Sequence, residues 1–126
     1  EIILTDNEGY ITEAPTSNVF IINKDGCLLT APEDEVLYGI TRLSILEIAS
    51  DEGIDVKIEK IPIYELDNSR EVFLTSSSHL VCPVIKIDTN PVGNGLAGEF
   101  TLRLKEVLLD ITSGGNSKFS HWLTSI

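Results

Sequence analysis

Val19-Phe-Ile-Ile-Asn23, Lys24-Asp-Gly26 and Cys27-Leu-Leu-Thr30 form the stretch on which the fold turns, two apolar runs either side of Asp25-Gly26. Asp-Gly between such runs is a strong turn signal, because both residues tolerate the positive φ of a tight reversal, so the stretch predicts a β-hairpin. Upstream, Glu1-Ile-Ile-Leu-Thr5 and Tyr10-Ile-Thr-Glu13 are β-rich runs separated by a second reversal, Asp6-Asn-Glu-Gly9. The chain therefore opens as a β-meander.

Downstream the period changes. Ile40, Leu43, Ile45, Leu46, Ile48 and Ala49 fall mostly on one side of a 3.6-residue helix that stops near Gly53. Alternation returns at Val56, Ile58 and Ile61, and Glu71-Val-Phe-Leu-Thr75 has the continuous apolar character of a buried strand, broken by Ser76-Ser-Ser78. Val81-Cys-Pro-Val-Ile85 and a turn at Asp88-Thr-Asn-Pro91 follow. Gly93-Asn-Gly95 and Gly98 then lead into a helix on which Phe100, Leu104, Val107, Leu108 and Ile111 share a face. These elements predict one mixed α/β domain over residues 1–112. A loose Gly/Ser-rich tail, with Trp122 near its end, is expected over 113–126.

Composition bounds the function. With 42% hydrophobic and 23% charged residues, the 126-residue chain has enough apolar material for one packed core, which excludes a disordered chain. Nine Lys+Arg against twenty Asp+Glu give a net charge of −11, a field that repels phosphate backbones and anionic lipid, and no basic patch offsets it. Nucleic acid is excluded as a partner. The longest apolar runs, such as Val19-Phe-Ile-Ile22 and Leu80-Val-Cys-Pro-Val-Ile85, are too short to cross a bilayer. Cys27 and Cys82 lie in apolar, strand-like segments without a C-x-x-C pair, and read as two buried free thiols in a reducing, cytoplasmic setting. No metal-binding pattern is present. The sequence begins at Glu1 and contains no Met, so the natural start is expected upstream.

Three polar clusters stand at the ends of apolar elements: 13–18, 37–42 and 75–79. In the second, Gly39-Ile-Thr41 opens a helix whose first N–H groups are unpaired and suit an anion; the plainer alternative is Thr41 as an ordinary N-cap. In the third, serine hydroxyls and backbone N–H groups converge at a strand end, which suits phosphate or carboxylate, a solvated loop being the alternative. Glu13 follows an apolar strand and precedes Pro15, where its side chain can project toward a site, although a surface glutamate is the commoner occurrence. His79 and His121 lack a nucleophile and an acid at a recognisable spacing, which argues against a Ser-His-Asp hydrolase.

Taken in order, Thr12-Glu-Ala-Pro-Thr-Ser-Asn-Val-Phe20, Leu37-Tyr-Gly-Ile-Thr-Arg42, Glu71-Val-Phe-Leu-Thr-Ser-Ser-Ser78 with Pro83-Val84, and Val92-Gly-Asn-Gly95 with Gly98 resemble the class IV (fold type IV) pyridoxal-phosphate aminotransferases. That family holds branched-chain aminotransferases, D-amino acid aminotransferases and aminodeoxychorismate lyases. The resemblance covers roughly Glu1 to Ile111. It implies the larger, C-terminal domain of the D-amino acid aminotransferase-like fold, a mixed sheet or pseudo-barrel with a few helices. It also implies pyridoxal 5′-phosphate as cofactor, an amino acid and a 2-oxo acid as substrates, and a homodimer.

Carried over residue by residue, the resemblance makes Glu13 the partner of the pyridine nitrogen and places Leu37 on the ring face. Gly39, Ile40 and Thr41 become a phosphate cup. Ser76 and Ser77 would also touch the cofactor, and Ser77 and Ser78 would border the substrate carboxylate. Asn18 would shape its loop. Ala14 stands where members usually carry Gly, and Leu80 where they often carry Glu.

The family's Schiff-base lysine, its N-terminal domain and a further phosphate-binding arginine would lie upstream of Glu1. Lys24, Lys57, Lys60, Lys86 and Lys105 do not match that lysine, so the 126 residues alone are expected to be inactive. The alternatives are a lyase of the aminodeoxychorismate type, which would use the same site, and a non-catalytic binding or assembly domain that keeps the fold.

Overall fold

The structure, a computed structural model, describes residues 1–36 and 39–115. Leu37, His121 and Trp122 lie outside the described residues. The elements are β1 (Tyr10–Ile11), β2 (Glu13–Ala14), β3 (Ser17–Ile22), β4 (Leu28–Thr30), α1 (Ile40–Asp51), β5 (Val56–Ile58), β6 (Ile61–Pro62), β7 (Glu71–Ser76), β8 (Leu80–Val84), β9 (Lys86–Ile87), β10 (Asn90–Pro91) and α2 (Glu99–Thr112).

The expected hairpin is β3–β4, in register Phe20↔Thr30, Ile21↔Leu29 and Ile22↔Leu28. Asn23 closes its loop: the Asn23 Oδ1 accepts the N–H groups of Asp25 at 3.0 Å and Cys27 at 2.9 Å, while Gly26 takes a φ of +80°. The upstream run departs from expectation. Glu1-Ile-Ile-Leu4 is held beside residues 12–13 by Leu4 N–H to Glu13 O and Thr12 N–H to Leu4 O, with a single bridge at Thr5, and makes no strand. Ile2 and Leu4 are exposed and Ile3 alone of these residues packs against the core, so little burial fixes a longer ladder.

The main sheet runs β5-β4-β3-β7-β8, with β2 paired to the near end of β3. Its pairs are antiparallel except β4–β5, which are parallel and therefore need the crossover that α1 supplies. The strand period of two splits the core. On one face, Phe20, Ile22, Leu28, Phe73 and Val81 meet Ile45, Ile48 and Ala49 of α1 and Leu104, Val107, Leu108 and Ile111 of α2. Phe20 and Phe73 stack there with centroids 5.0 Å apart and planes 6° from parallel. On the other face, Val19, Ile21, Leu29, Val72 and Leu74 pack with Ile11, Ile61 and Val92, contributed by the short β1–β6 ribbon and the segment after β9–β10.

Three residues depart from their expected burial. Ile40 is 79% exposed, because as the first residue of α1 it stands beyond the packed stripe formed by Thr41, Arg42, Ile45, Ile48 and Ala49. Ile58 is exposed on the short edge strand β5. Cys27 is buried as expected but Cys82 is exposed, since β8 is the opposite edge of the sheet; both thiols are free.

Candidate functional site

Register brings the site together. Glu13 of β2 pairs with Asn18 of β3, and Asn18 pairs in turn with Thr75 of β7. Residues directly opposite in an antiparallel sheet share a face, so the three form one polar row across three strands. It is the same face that carries Phe20 and Phe73 two residues further along, where the helices cover it. Helix α1 starts at this end of the sheet. Glu13, Asn18, Gly39, Ile40, Thr41, Thr75, Ser76 and Ser77, together with 14–17, line one cavity of about 250 Å³.

The start of α1 has the character of an anion site. Its N-cap is Gly39, which has no side chain to offer, and Thr41 is a helical residue and not the cap. The first intrahelical bond runs from Leu43 N–H to Gly39 O, so the amides of Ile40 and Thr41 have no acceptor within the helix. Thr41 lies at the cavity wall, nearly buried. Gly39 is required by close approach: a Cβ there would run into the Asn18 side-chain oxygen.

Arg42, 1% exposed, fixes the helix start to the end of β4 by donating from Nη2 to Ala31 O at 2.8 Å, with Glu33 3.9 Å from Nη1. The third cluster is the turn between β7 and β8. There the Ser76 hydroxyl accepts His79 N–H at 3.2 Å and lies 3.4 Å from the Ser78 hydroxyl. Leu80 completes the turn at a φ of +57°, a left-handed conformation that costs a leucine free energy and is held by the β8 pairing.

The cavity thus gathers Glu13, Gly39, Ile40, Thr41, Ser76 and Ser77 from three separate segments. Ser78 is exposed beside Ser77 and does not line it, and Leu37 lies outside the described residues. Asn18, expected only to shape a loop, lines the cavity and abuts Gly39. The sequence places Thr75 in the third polar cluster but assigns it no role. Its side chain is 1% exposed and its hydroxyl is buried without a protein partner, and only the long-range pairing to Asn18 brings it there.

Chemically, the lining offers donors at the helix start and the serines, and Glu13 is the one acidic side chain among its described residues. An unpaired buried hydroxyl, a glycine cradle and free helix amides fit a phosphate, and the carboxylate fits a protonated nitrogen, so the residues present suit a phosphorylated pyridine. None of the five lysines among the described residues lines the cavity. A larger cavity of about 720 Å³ lies between residues 63–69 and 87–93 and contains none of the three polar clusters, so chemistry and not volume selects the site. Among the described residues no group of three or more His, Cys, Asp or Glu could hold a metal ion, and no helix is long and apolar enough to cross a membrane.

Residues 1–87 match the amino-transferase class IV family, and the chain belongs to that family. Over its whole length it is 34% identical to a probable branched-chain-amino-acid aminotransferase of Aquifex aeolicus, of which it covers 41%. It is 42% identical over 97 residues, 76% of the chain, to a D-alanine aminotransferase of Staphylococcus aureus, covering 34% of that protein. The branched-chain amino acid aminotransferase of T.th., solved in complex with N-(5′-phosphopyridoxyl)-L-glutamate, matches with a TM-score of 0.92 at 38% identity, over 97% of this chain and 41% of that one. The same enzyme has been solved with pyridoxamine 5′-phosphate. The mixed sheet with helices α1 and α2 is thus the class IV fold. The chain spans about two fifths of the length of the two branched-chain aminotransferases, 41% of each.

Proposed function

We propose that this chain is the C-terminal, cofactor-binding part of a pyridoxal-phosphate-dependent aminotransferase that moves an amino group from a branched-chain amino acid to a 2-oxo acid. The observation that carries the reading is the convergence of Glu13, the start of α1 and the Ser76-Ser77 turn on one cavity. The likeness to branched-chain aminotransferases over the full chain supports the donor class. The cofactor, when bound, supplies an electron sink for the charge left as the substrate Cα–H is lost.

The residues of this chain bind and orient. Ile40 and Thr41 donate their free amides, and Thr41 and Ser77 their hydroxyls, to the phosphate. Glu13 accepts from the protonated pyridine nitrogen and so keeps the proton at that atom. Ser77 and Ser78 present N–H and hydroxyl donors to the substrate carboxylate. The lysine and the remaining pocket come from sequence outside these 126 residues, in a cytoplasmic homodimer; the two free thiols, Cys27 and Cys82, suit a reducing compartment.

The test is amino-group transfer to 2-oxoglutarate by the full-length protein, with L-leucine, L-valine and D-alanine as donors, in wild type and Glu13→Ala. The reading expects L-leucine and L-valine to be preferred, and the substitution to lower kcat by about 100-fold or more with a much smaller loss of cofactor affinity. Equal transfer by the variant would overturn it, and a D-alanine preference would move the donor class.

A further inference from the structure

We propose that Thr75 is an additional member of the phosphate cup, a ligand whose hydroxyl the fold keeps free of protein partners for the incoming anion. The inference rests on the reading of the cavity as a pyridoxal-phosphate site.

Thr75 sits at the end of a strand, β7, whose residues 71–75 are all buried. Its side chain is 1% exposed and its Oγ1 has no hydrogen-bond partner within the protein. A buried hydroxyl left unpaired destabilises a fold, and the sequence has a ready remedy in valine, which is isosteric and β-favouring. The chain contains the opposite solution elsewhere: Thr30, 2% exposed, donates from its hydroxyl to Val19 O at 2.8 Å. Thr75 is therefore the exception among the buried threonines of the sheet, and it stands where the cavity is.

Placement supplies the second argument. Thr75 lines the cavity and is the cross-strand neighbour of Asn18, whose side chain backs the Gly39 position at the start of α1. Ser76 and Ser77 follow it directly. An anion held by the Ile40 and Thr41 amides lies over this strand end, because both elements wall the same 250 Å³ space. The Thr75 oxygen is now covered, so it reaches the anion by one staggered step about Cα–Cβ that trades hydroxyl for methyl at unchanged volume. The hydroxyl then donates to a phosphate oxygen, a charge-assisted bond of the stronger kind.

The test compares full-length wild type, Thr75→Val and Thr75→Ser, freed of cofactor, by calorimetric titration with pyridoxamine 5′-phosphate and with unphosphorylated pyridoxamine, and by thermal melting without ligand. Thr75→Val is expected to bind pyridoxamine 5′-phosphate about tenfold more weakly, to bind pyridoxamine unchanged, and to melt a few degrees higher without ligand. Thr75→Ser is expected to restore the phosphate-dependent affinity, which a packing role for the threonine would not do. Equal affinity of Thr75→Val and wild type for pyridoxamine 5′-phosphate overturns the inference and leaves the site reading intact. A wild-type protein that takes up no pyridoxamine 5′-phosphate overturns both.

Discussion

The carboxylate of Glu71, on β7, accepts two hydrogen bonds from Thr101 at the start of α2, one from its main-chain N–H and one from its hydroxyl, both at 2.7 Å. The other oxygen accepts Phe100 N–H at 3.1 Å. Gly98, the N-cap, offers no side chain, and a Cβ there would collide with this carboxyl, so the cap of α2 comes from a strand 30 residues earlier. The buried charge is thereby paired with helix donors and their positive dipole end. Glu71→Ala should cost about 2–4 kcal/mol, more than an ordinary cap, because it also leaves buried donors unpaired. Thr101→Val should cost about 1 kcal/mol, and a double-mutant cycle by urea unfolding should show coupling; additive effects would disprove the shared bond.

Gly39→Ala should damage the cup through Asn18. The new methyl meets the Asn18 side-chain oxygen, so the start of α1 must move away from the sheet. Affinity for pyridoxamine 5′-phosphate should fall by about tenfold or more, and Asn18→Ala in the same protein should recover part of the loss relative to Gly39→Ala alone. Calorimetric titration of the three variants checks this.

Asp6 makes the first reversal pH-sensitive. Its Oδ1 accepts the N–H groups of Tyr10 at 3.0 Å and Glu8 at 2.9 Å. The Tyr10 bond chiefly holds the carboxyl below its ordinary value of 3.8, against a desolvation cost, with help from Glu8 and the Lys60 charge. A lowered value in the folded chain means that the unfolded chain binds the proton more readily. The charge-linked stabilisation is then complete above the ordinary value and is lost as pH falls through the folded one. The gap in Tm between wild type and Asp6→Asn should stay constant from about pH 7 to 5 and close in stronger acid; a gap that widens there would contradict this.

The 126 residues by themselves should not transfer amino groups. None of the five described lysines lines the cavity, and the chain spans about two fifths of the aminotransferases it matches over nearly its whole length. Intact mass after incubation with pyridoxal phosphate and borohydride should show no single stoichiometric adduct. One such adduct accompanied by transamination would refute the expectation.

Local chemistry makes much of the fold readable. Asp25-Gly26 announces the hairpin, and the apolar spacing of 104, 107, 108 and 111 announces α2. Features set by distant partners are not readable. Glu71 stands in an apolar run with nothing nearby to explain its charge, since its partner is Thr101. Thr41 reads as a cap because Ser and Thr are preferred there, but the cap is Gly39, two residues earlier, where the close approach of Asn18 requires glycine. Cys82 reads as buried because alternation says which face a residue takes and not whether the strand lies at an edge.

For the site, the three polar clusters are visible as separate segments, and the resemblance assigns their roles. Their meeting depends on the registers Glu13↔Asn18 and Asn18↔Thr75, which no local pattern encodes. Thr75 stands in the third cluster, but its pairing to Asn18 and its unpartnered hydroxyl are hidden for the same reason.

If the proposed function holds, these segments form one binding site for a phosphorylated pyridine. Titrating the isotopically labelled protein with pyridoxamine 5′-phosphate while recording amide NMR spectra tests this. Saturable shifts of the Glu13, Asn18, Ile40, Thr41, Ser76 and Ser77 amides with one dissociation constant are expected, those at Ile40 and Thr41 shrinking for unphosphorylated pyridoxamine. Shifts confined to residues 63–69 and 87–93, around the larger cavity, would contradict it.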